Sequence, residues 1–375
     1  MNATSYMCSM LTFALLSNCQ LSFSADVENK PKITENELQV EGYFVGPESK
    51  NPAMDLSGIA CVEPSSKNKR HCVAINDESK SAQLVIIDTK AKKITVGAEI
   101  ELITDKPSEK MFGTPPTVEC SNGEGKFKEF DGEGVAYAPP YFYVTGSHGC
   151  SRKSNKFRLS TFILTRFKLS QEAWSAKLSK KLMASAEGLI SPVEATYRLS
   201  DTFKYEKRIK DFIGKNLSNQ NGLNIEGIAI IGDKLITGSR APSQDGNAFL
   251  VSTDVEKLFL PGRSVVALES ELIPIGLGKD VGIRDLAALP NGNLLVLSGP
   301  AQEQKNIDYR LFEVEPKING KITPIELTVA TDSKEAKAEG LAILSYDKLN
   351  IDILILFDGE KNGAPKEYII QYSNK

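Results

Sequence analysis

The sequence predicts an all-β chain folded as a β-propeller of five four-stranded blades, and three observations carry that reading. One short phrase recurs five times, as Asp55–Ala60 (DLSGIA), Asp131–Ala136 (DGEGVA), Asn224–Ala229 (NIEGIA), Gly282–Ala287 (GIRDLA) and Lys337–Ala342 (KAEGLA). After a gap, each copy leads to a β-rich run that ends in small or polar residues: His71–Asp77, Phe142–His148, Lys234–Arg240, Leu294–Ser298 and Ile353–Asp358. The last unit stops one strand short, while Leu38–Val45 reads as a strand ahead of the first unit. Closing the ring with that N-terminal strand in the last blade completes the count and hides the edges an open sheet would expose.

The third positions of the phrase are 57, 133, 226, 284 and 339, at intervals of 76, 93, 58 and 55 residues. Such spacings are too long for helical solenoids and suit four-stranded units with loop insertions. The fourth unit shows the pattern most plainly, with short β-type runs at Leu286–Leu289, Leu294–Ser298, Tyr309–Glu315 and Ile322–Leu327; the fifth offers Gly340–Leu344, Ile353–Phe357 and Tyr368–Tyr372. In the second unit Phe157–Lys168 reads as a third strand, and Glu172–Ser185, with the only tryptophan at Trp174, as a helix or long loop. Lys204–Lys215 has only weak helical periodicity. The 93-residue interval absorbs both as insertions. A six-bladed ring is the alternative, with a degenerate blade around Ala186–Leu189, but residue 187 stands only 39 residues from the next phrase, too few for a blade.

Ahead of the propeller, residues 1–25 carry no charged side chain, and Met10–Leu16 is an apolar run too short to span a bilayer. With the small-residue pattern at Ser22–Ser24 it reads as a secretory signal over residues 1–24, leaving one propeller domain over 36–375 and a periplasmic or secreted protein without a transmembrane span. Lipid anchoring at Cys19, in a loose lipoprotein-box context, is the lesser alternative. Cleavage leaves Cys61, Cys72, Cys120 and Cys150, an even number in an oxidising compartment. Cys61 and Cys72 flank the turn-rich Glu63–Arg70 between strand-like runs, so a hairpin sets them opposite each other and Cys120 is left for Cys150. Four free thiols remain the other reading. A zinc site is disfavoured, because there is no C-x-x-C and His71 and His148 are the only histidines.

Composition bounds the function classes. The 375 residues carry 45 Lys+Arg against 48 Asp+Glu, a net charge of −3, with 41% hydrophobic and 25% charged residues. That is globular, and disorder and collagen are ruled out. A balanced charge offers no basic face, so nucleic acid is not an expected partner. There is no P-loop, no G-x-G-x-x-G after a strand, no H-E-x-x-H, no calcium loop and no G-x-S-x-G elbow.

Taken with their contexts, Asp55–Gly58, Glu133–Ala136 leading to Gly146–Gly149, Asn224–Gly227 leading to Gly238–Pro242, Gly282–Asp285 leading to Ser298–Pro300, and Ala338–Gly340 resemble the bacterial family designated domain of unknown function 3616, over roughly residues 50–360. The resemblance implies a propeller-like exported or cell-envelope protein and supplies no activity. In the second phrase, Asp131-Gly132 stands where the family more often has a larger residue before the glutamate.

In an antiparallel pair, the start of the first strand and the end of the second share one edge. Ring closure therefore gathers Asp77, Glu133, His148, Glu226, Arg240, Arg284, Glu339 and Asp358 at one channel mouth as candidate ligand-binding residues. Glu133, Glu226 and Glu339 are the metal candidates, with Ca²⁺ as the hard cation such oxygens would take. Crowded carboxylates raise one another's pKa unless a cation intervenes. The other reading of the glutamates is that each binds backbone N–H groups of the adjoining blade, the glycine after it permitting close approach. The expected function is binding of a metal ion, a small anionic ligand or a protein partner at this mouth. The alternative is a metal-assisted hydrolase of phosphate or carboxylic esters, with His148 or Glu226 moving the proton and Arg240 and Arg284 stabilising charge.

Overall fold

The computed structural model describes residues 31–46, 52–62, 66–108, 110–120, 127, 129–174, 188–331 and 333–372. The expected leader at residues 1–24, the lipidation candidate Cys19, and residues 186 and 187 of the sixth-blade candidate lie outside them.

Two N-terminal strands, β1 (Lys32–Glu37) and β2 (Gln39–Glu41), precede five antiparallel sheets. Blade 1 is β3 (Leu56–Cys61), β4 (Lys69–Asn76), β5 (Ser81–Asp88) and β6 (Lys93–Glu101). Blade 2 is β7 (Gly132–Ala138), β8 (Tyr141–Gly146), β9 (Leu164–Phe167) and β10 (Glu194–Thr196). Blade 3 is β11 (Asn224–Ile231), β12 (Lys234–Ala241), β13 (Asn247–Asp254) and β14 (Ser270–Gly276). Blade 4 is β15 (Val281–Ala288), β16 (Leu294–Pro300), β17 (Tyr309–Val314) and β18 (Ile322–Val329). Blade 5 is β19 (Lys337–Tyr346), β20 (Asn350–Asp358) and β21 (Lys366–Gln371). The innermost strands close a ring, β3 against β7, β7 against β11, β11 against β15, β15 against β19, and β19 back against β3. Five blades account for the described residues; the 93-residue interval holds β10 and short helices, α1 (Leu199–Tyr205) and α2 (Leu217–Gln220), and no sixth sheet.

Closure in the last blade is as expected, but a different segment performs it. The strand that pairs with β21 is β1, from Lys32↔Gln371 to Glu37↔Lys366. The ring thus begins at Lys32, ahead of residue 36. Of the apolar stretch Leu38–Val45, only β2 is strand, and it adds a fifth, parallel strand to blade 1 beside β6. Leu38 and Phe44 are 6% and 1% exposed, so this stretch is apolar because it packs across blade 1. β1 lies outermost with a mostly exposed face, and needs no such pattern. The third strand of blade 2 is also shorter than Phe157–Lys168, since a 3₁₀ turn occupies Leu159–Phe162 before β9.

Inner strands are buried along their length, whereas outer strands such as β18 alternate buried and exposed residues. This is the pattern of sheets packed face to face and solvated at their rims. Between blades 1 and 2 the core holds Val73, Ile75, Ile100, Phe130, Val135, Phe142 and Phe167. Burying a side chain of this size contributes about 1.5–3 kcal/mol. The two-residue turn between Ile231 and Lys234 uses Gly232 at φ +59°, a conformation that costs glycine little. Disulfides join Cys61 to Cys72, directly opposite on β3 and β4, and Cys120 to Cys150. Among the described residues no helix is long and apolar enough to cross a membrane.

Candidate functional site

The repeated phrase is a β-bulge. In every blade the register between first and second strands shifts across the third phrase position, between Leu56 and Gly58, Gly132 and Gly134, Ile225 and Gly227, Ile283 and Asp285, and Ala338 and Gly340. Ser57, Glu133, Glu226, Arg284 and Glu339 are thus the residues left out of the ladder. A bulge turns its extra side chain away from the ladder. The glycine that follows lies flush against the next blade: a Cβ on Gly134 would stand 2.8 Å from the Glu226 carbonyl oxygen, and one on Gly58 2.8 Å from that of Glu133. Any side chain there would push adjacent inner strands apart.

On the side of blades 3, 4 and 5 the bulged residues form a buried ionic chain. Arg240 Nη1 donates to Glu226 Oε1 at 2.8 Å, and its Nε and Nη2 donate to the carbonyls of Ala301 and Gln302, each at 3.0 Å. Arg284 Nε lies 3.0 Å from Glu226 Oε2, and Arg284 Nη2 contacts Glu339 Oε1. These last two contacts are ion pairs out of line for hydrogen bonding. Glu226, Arg240, Arg284 and Glu339 are each at most 4% exposed. Burial works against charge on both guanidiniums. For Arg240 the attraction and hydrogen bond of Glu226 prevail and its pKa rises, whereas Arg284, repelled also by Arg240, is lowered.

Blade locking by a carboxylate on backbone N–H groups does occur, through Asp285, which stands where the other phrases have glycine. Its Oδ2 accepts from Leu341 N of blade 5 at 2.7 Å, and Oδ1 from Leu286 N at 2.8 Å. Burial nevertheless holds its pKa well above the usual carboxylate range.

The side of blades 1 and 2 is different. Glu133 is 8% exposed and makes no hydrogen bond or ion pair among the described residues. Burial, then Glu226, Asp131 and Asp77, push its carboxyl well above the ordinary range, with Arg240 opposing. Asp77 is pushed up in the same way by burial and by Asp131, Asp358, Asp55 and Glu78, and its buried Oδ1 has no partner. Ser57 Oγ and Asn76 Nδ2 are likewise buried and unpartnered. Asp131 is raised by burial, against a hydrogen bond from Ser147, and Asp55 is raised to about 6 by burial and by Glu78 and Asp358. Asp358 is paired with Lys337. Among the described residues no three His, Cys, Asp or Glu side chains stand where they could hold one metal ion, so Glu133, Glu226 and Glu339 do not form a ready Ca²⁺ site.

His148 stands apart from this cluster. It is 1% exposed, bonded through Nδ1 to Ser200 Oγ at 3.0 Å, and edge-on to Phe162 and Phe203; burial lowers its pKa to about 3. It is therefore a neutral ring at physiological pH, packed in the core of the insertion. Side-chain hydrogen bonds join loops of blades 2 and 4 to the segment that precedes β11. Gln302 Nε2 donates to Asn221 Oδ1 at 2.8 Å, and Asn216 Nδ2 to the Arg152 carbonyl at 2.9 Å. Arg152, in the loop after the second strand of blade 2, draws the Asp131 pKa down.

The structure brings Glu226, Arg240, Arg284 and Glu339 into contact, sets Asp77 and Glu133 within electrostatic reach of one another, and leaves His148 outside. Sequence reasoning passed over Gln302, Asn221 and Lys337. Lys337 alone carried a signal, since it is the basic residue at a phrase position that elsewhere holds Asp, Asn or Gly.

No curated protein sequence matches the chain. Solved structures with a similar course include an α-L-arabinofuranosidase from Podospora anserina in complex with cellotriose (12% identity, 91% of this chain and 98% of that one, TM-score 0.42). Others are an α-L-arabinanase from Cellvibrio cellulosa complexed with arabinohexaose (10%, 85% and 95%, 0.41) and a PQQ-bound aldose sugar dehydrogenase from Streptomyces coelicolor (11%, 92% and 99%, 0.40). At these scores the likeness is no guide to chemistry. The profile described as Protein of unknown function (DUF3616) matches residues 108–166 and 160–367, and the chain belongs to that family.

Proposed function

We propose that this chain is an exported binding propeller whose channel mouth receives a small ligand on the side of blades 1 and 2. The observation that carries the reading is the group of buried polar atoms left without partners there, Asp77 Oδ1, Ser57 Oγ and Asn76 Nδ2, beside the Glu133 carboxylate, which makes no hydrogen bond or ion pair among the described residues. Each buried group left unsatisfied costs about 1–3 kcal/mol, so a ligand that pairs with them recovers that loss. The two disulfides support an oxidising compartment and, with the leader expected at residues 1–24, export to the periplasm or outside.

Ester hydrolysis gains no comparable support. A general base must reach a substrate proton in its unprotonated form. His148 is neutral but sealed behind Phe162 and Phe203, and Glu226 already answers two guanidiniums. The test is equilibrium dialysis of the mature protein against Ca²⁺, phosphate, acetate and agmatine, run beside assays on p-nitrophenyl phosphate and p-nitrophenyl acetate. Saturable one-to-one binding of any of these, lost in Glu133→Gln, upholds the reading. Hydrolysis that disappears in a folded Glu226→Gln variant overturns it.

A further inference from the structure

The mouth has two electrostatic halves, and they favour opposite kinds of ligand. Arg240 and Arg284 are matched by Glu226 and Glu339, and the other donors of Arg240 end on the Ala301 and Gln302 carbonyls. An anion arriving there would have to displace a buried glutamate from a guanidinium. Removing one partner of a buried pair is strongly destabilising. The loops that carry Gln302 and Asn221 are hydrogen-bonded to each other on this half. Anionic ligands are therefore disfavoured on the arginine side.

In the other half Glu133 and Asp77 have no ion-pair partner among the described residues, and the field of Arg240 reaches Glu133. Lys337 answers Asp358, and backbone N–H groups answer Asp285. Nothing equivalent answers Glu133 or Asp77 among the described residues. Asp131 has the Ser147 hydroxyl and the fields of Arg152, whose Nε stands 4.0 Å from Glu303, and of Arg240. Ser57, the bulged residue of blade 1, is the smallest of the five bulged side chains. The unpartnered acceptors Asp77 Oδ1 and Ser57 Oγ belong to that same blade, and Glu133 belongs to the blade beside it. Asp55 and Asp77 are only part-buried.

We infer that the ligand of this mouth is an organic cation, presenting a primary ammonium or guanidinium group to Glu133 and Asp77. The inference rests on the binding reading above and names its ligand class. A bare metal ion fits less well, because hard divalent cations need several oxygen ligands at one point and the carboxylates here do not converge. A forked or three-pronged N–H donor reaches acceptors that are spread apart, and charge-assisted hydrogen bonds to carboxylate are the strong kind. A neighbouring positive charge would favour the ionised forms of Glu133 and Asp77, whose pKa values are raised by burial and by the carboxylates around them.

Titration calorimetry at pH 7.5 separates the possibilities, using agmatine, 1,4-diaminobutane, tetramethylammonium, calcium chloride and sodium phosphate as probes. The expected result is one-to-one binding of agmatine or diaminobutane, at least tenfold weaker in both Glu133→Gln and Asp77→Asn. Tetramethylammonium, with charge but no N–H donor, is expected to bind at least tenfold more weakly than the amines. Either variant suffices if the other fails to fold, and circular dichroism melts report folding. Calcium or phosphate binding that depends on Glu133, without amine binding, would overturn the organic cation while leaving the mouth as a ligand site. Tetramethylammonium binding as tightly as agmatine would overturn the hydrogen-bond argument. Failure of every probe to respond to either variant would overturn both the ligand class and the site.

Discussion

Glu133 and Glu226 occupy equivalent positions in neighbouring blades, yet one is unpaired and the other saturated, and the difference lies in what the second strand of each blade supplies. Blade 3 ends that strand near Arg240, whereas in blade 2 the strand stops at Gly146 and is followed by Ser147 and His148. An acid whose folded-state pKa is raised binds its proton more tightly when folded, so stability falls as pH climbs from the unfolded value toward the folded one. Glu133→Gln is therefore expected to melt a few degrees above the parent at pH 8, from relief of about 1–3 kcal/mol of unpaired burial, with the gain shrinking toward pH 4. Melting curves across that range check it. For Asp55, held at about 6, an NMR titration of the side-chain carboxyl should give a midpoint near that value, and the stability it withdraws should be lost between about pH 4 and 6. Arg284→Met is predicted to cost about 3–5 kcal/mol in denaturant unfolding, since it strips Glu339 and half of Glu226 of their counter-charge inside the ring. That Glu226, Arg284 and Glu339 come together was legible from the repeat. That each is a bulge, and that Glu133 lacks a partner, was not, because pairing is decided by the strand beside it rather than by the phrase.

At the scale of elements, the inner and second strands were readable because they are buried on both faces and rich in Ile, Leu and Val. The closing strand was not. β1 reads Lys-Ile-Thr-Glu-Asn-Glu, and its attachment is a backbone ladder to β21 aided by Asn36 donating to Glu367 at 3.0 Å and Lys366 lying 3.3 Å from Glu35. Apolar pattern signals burial, and an outermost strand has little of it. Deleting residues 31–37 should expose the edge of β21, lower Tm by several degrees and increase self-association on size-exclusion chromatography. The disulfide pairing was legible because a hairpin leaves few options: Cys61 and Cys72 are 11 residues apart on paired strands. Replacing both by alanine is predicted to cost about 2–4 kcal/mol, by chemical denaturation against the parent protein.

For the whole molecule, fivefold architecture and chemical asymmetry coexist. The five phrases place one side chain per blade at the mouth, and the sequence then varies that side chain as Ser, Glu, Glu, Arg and Glu. Blades 3 to 5 use the variation to neutralise one another, and the segment after blade 2 is hydrogen-bonded to loops of blades 4 and 2. Blades 1 and 2 keep unspent acceptors. Five equal intervals would have suggested a symmetric pore; the unequal ones, 76, 93, 58 and 55, already placed the extra chain after the first two phrases. What folds over the mouth depends on contacts between segments far apart in sequence, such as Asn221 with Gln302, which no local pattern announces.

The most direct test is a crystal structure of the mature protein grown with agmatine. The account predicts five inner strands around one channel and ligand density within hydrogen-bond distance of Glu133 and Asp77, with Arg240 and Arg284 still joined to Glu226. Density for the amine elsewhere on the molecule, or Glu133 and Asp77 facing away from a common mouth, would contradict it.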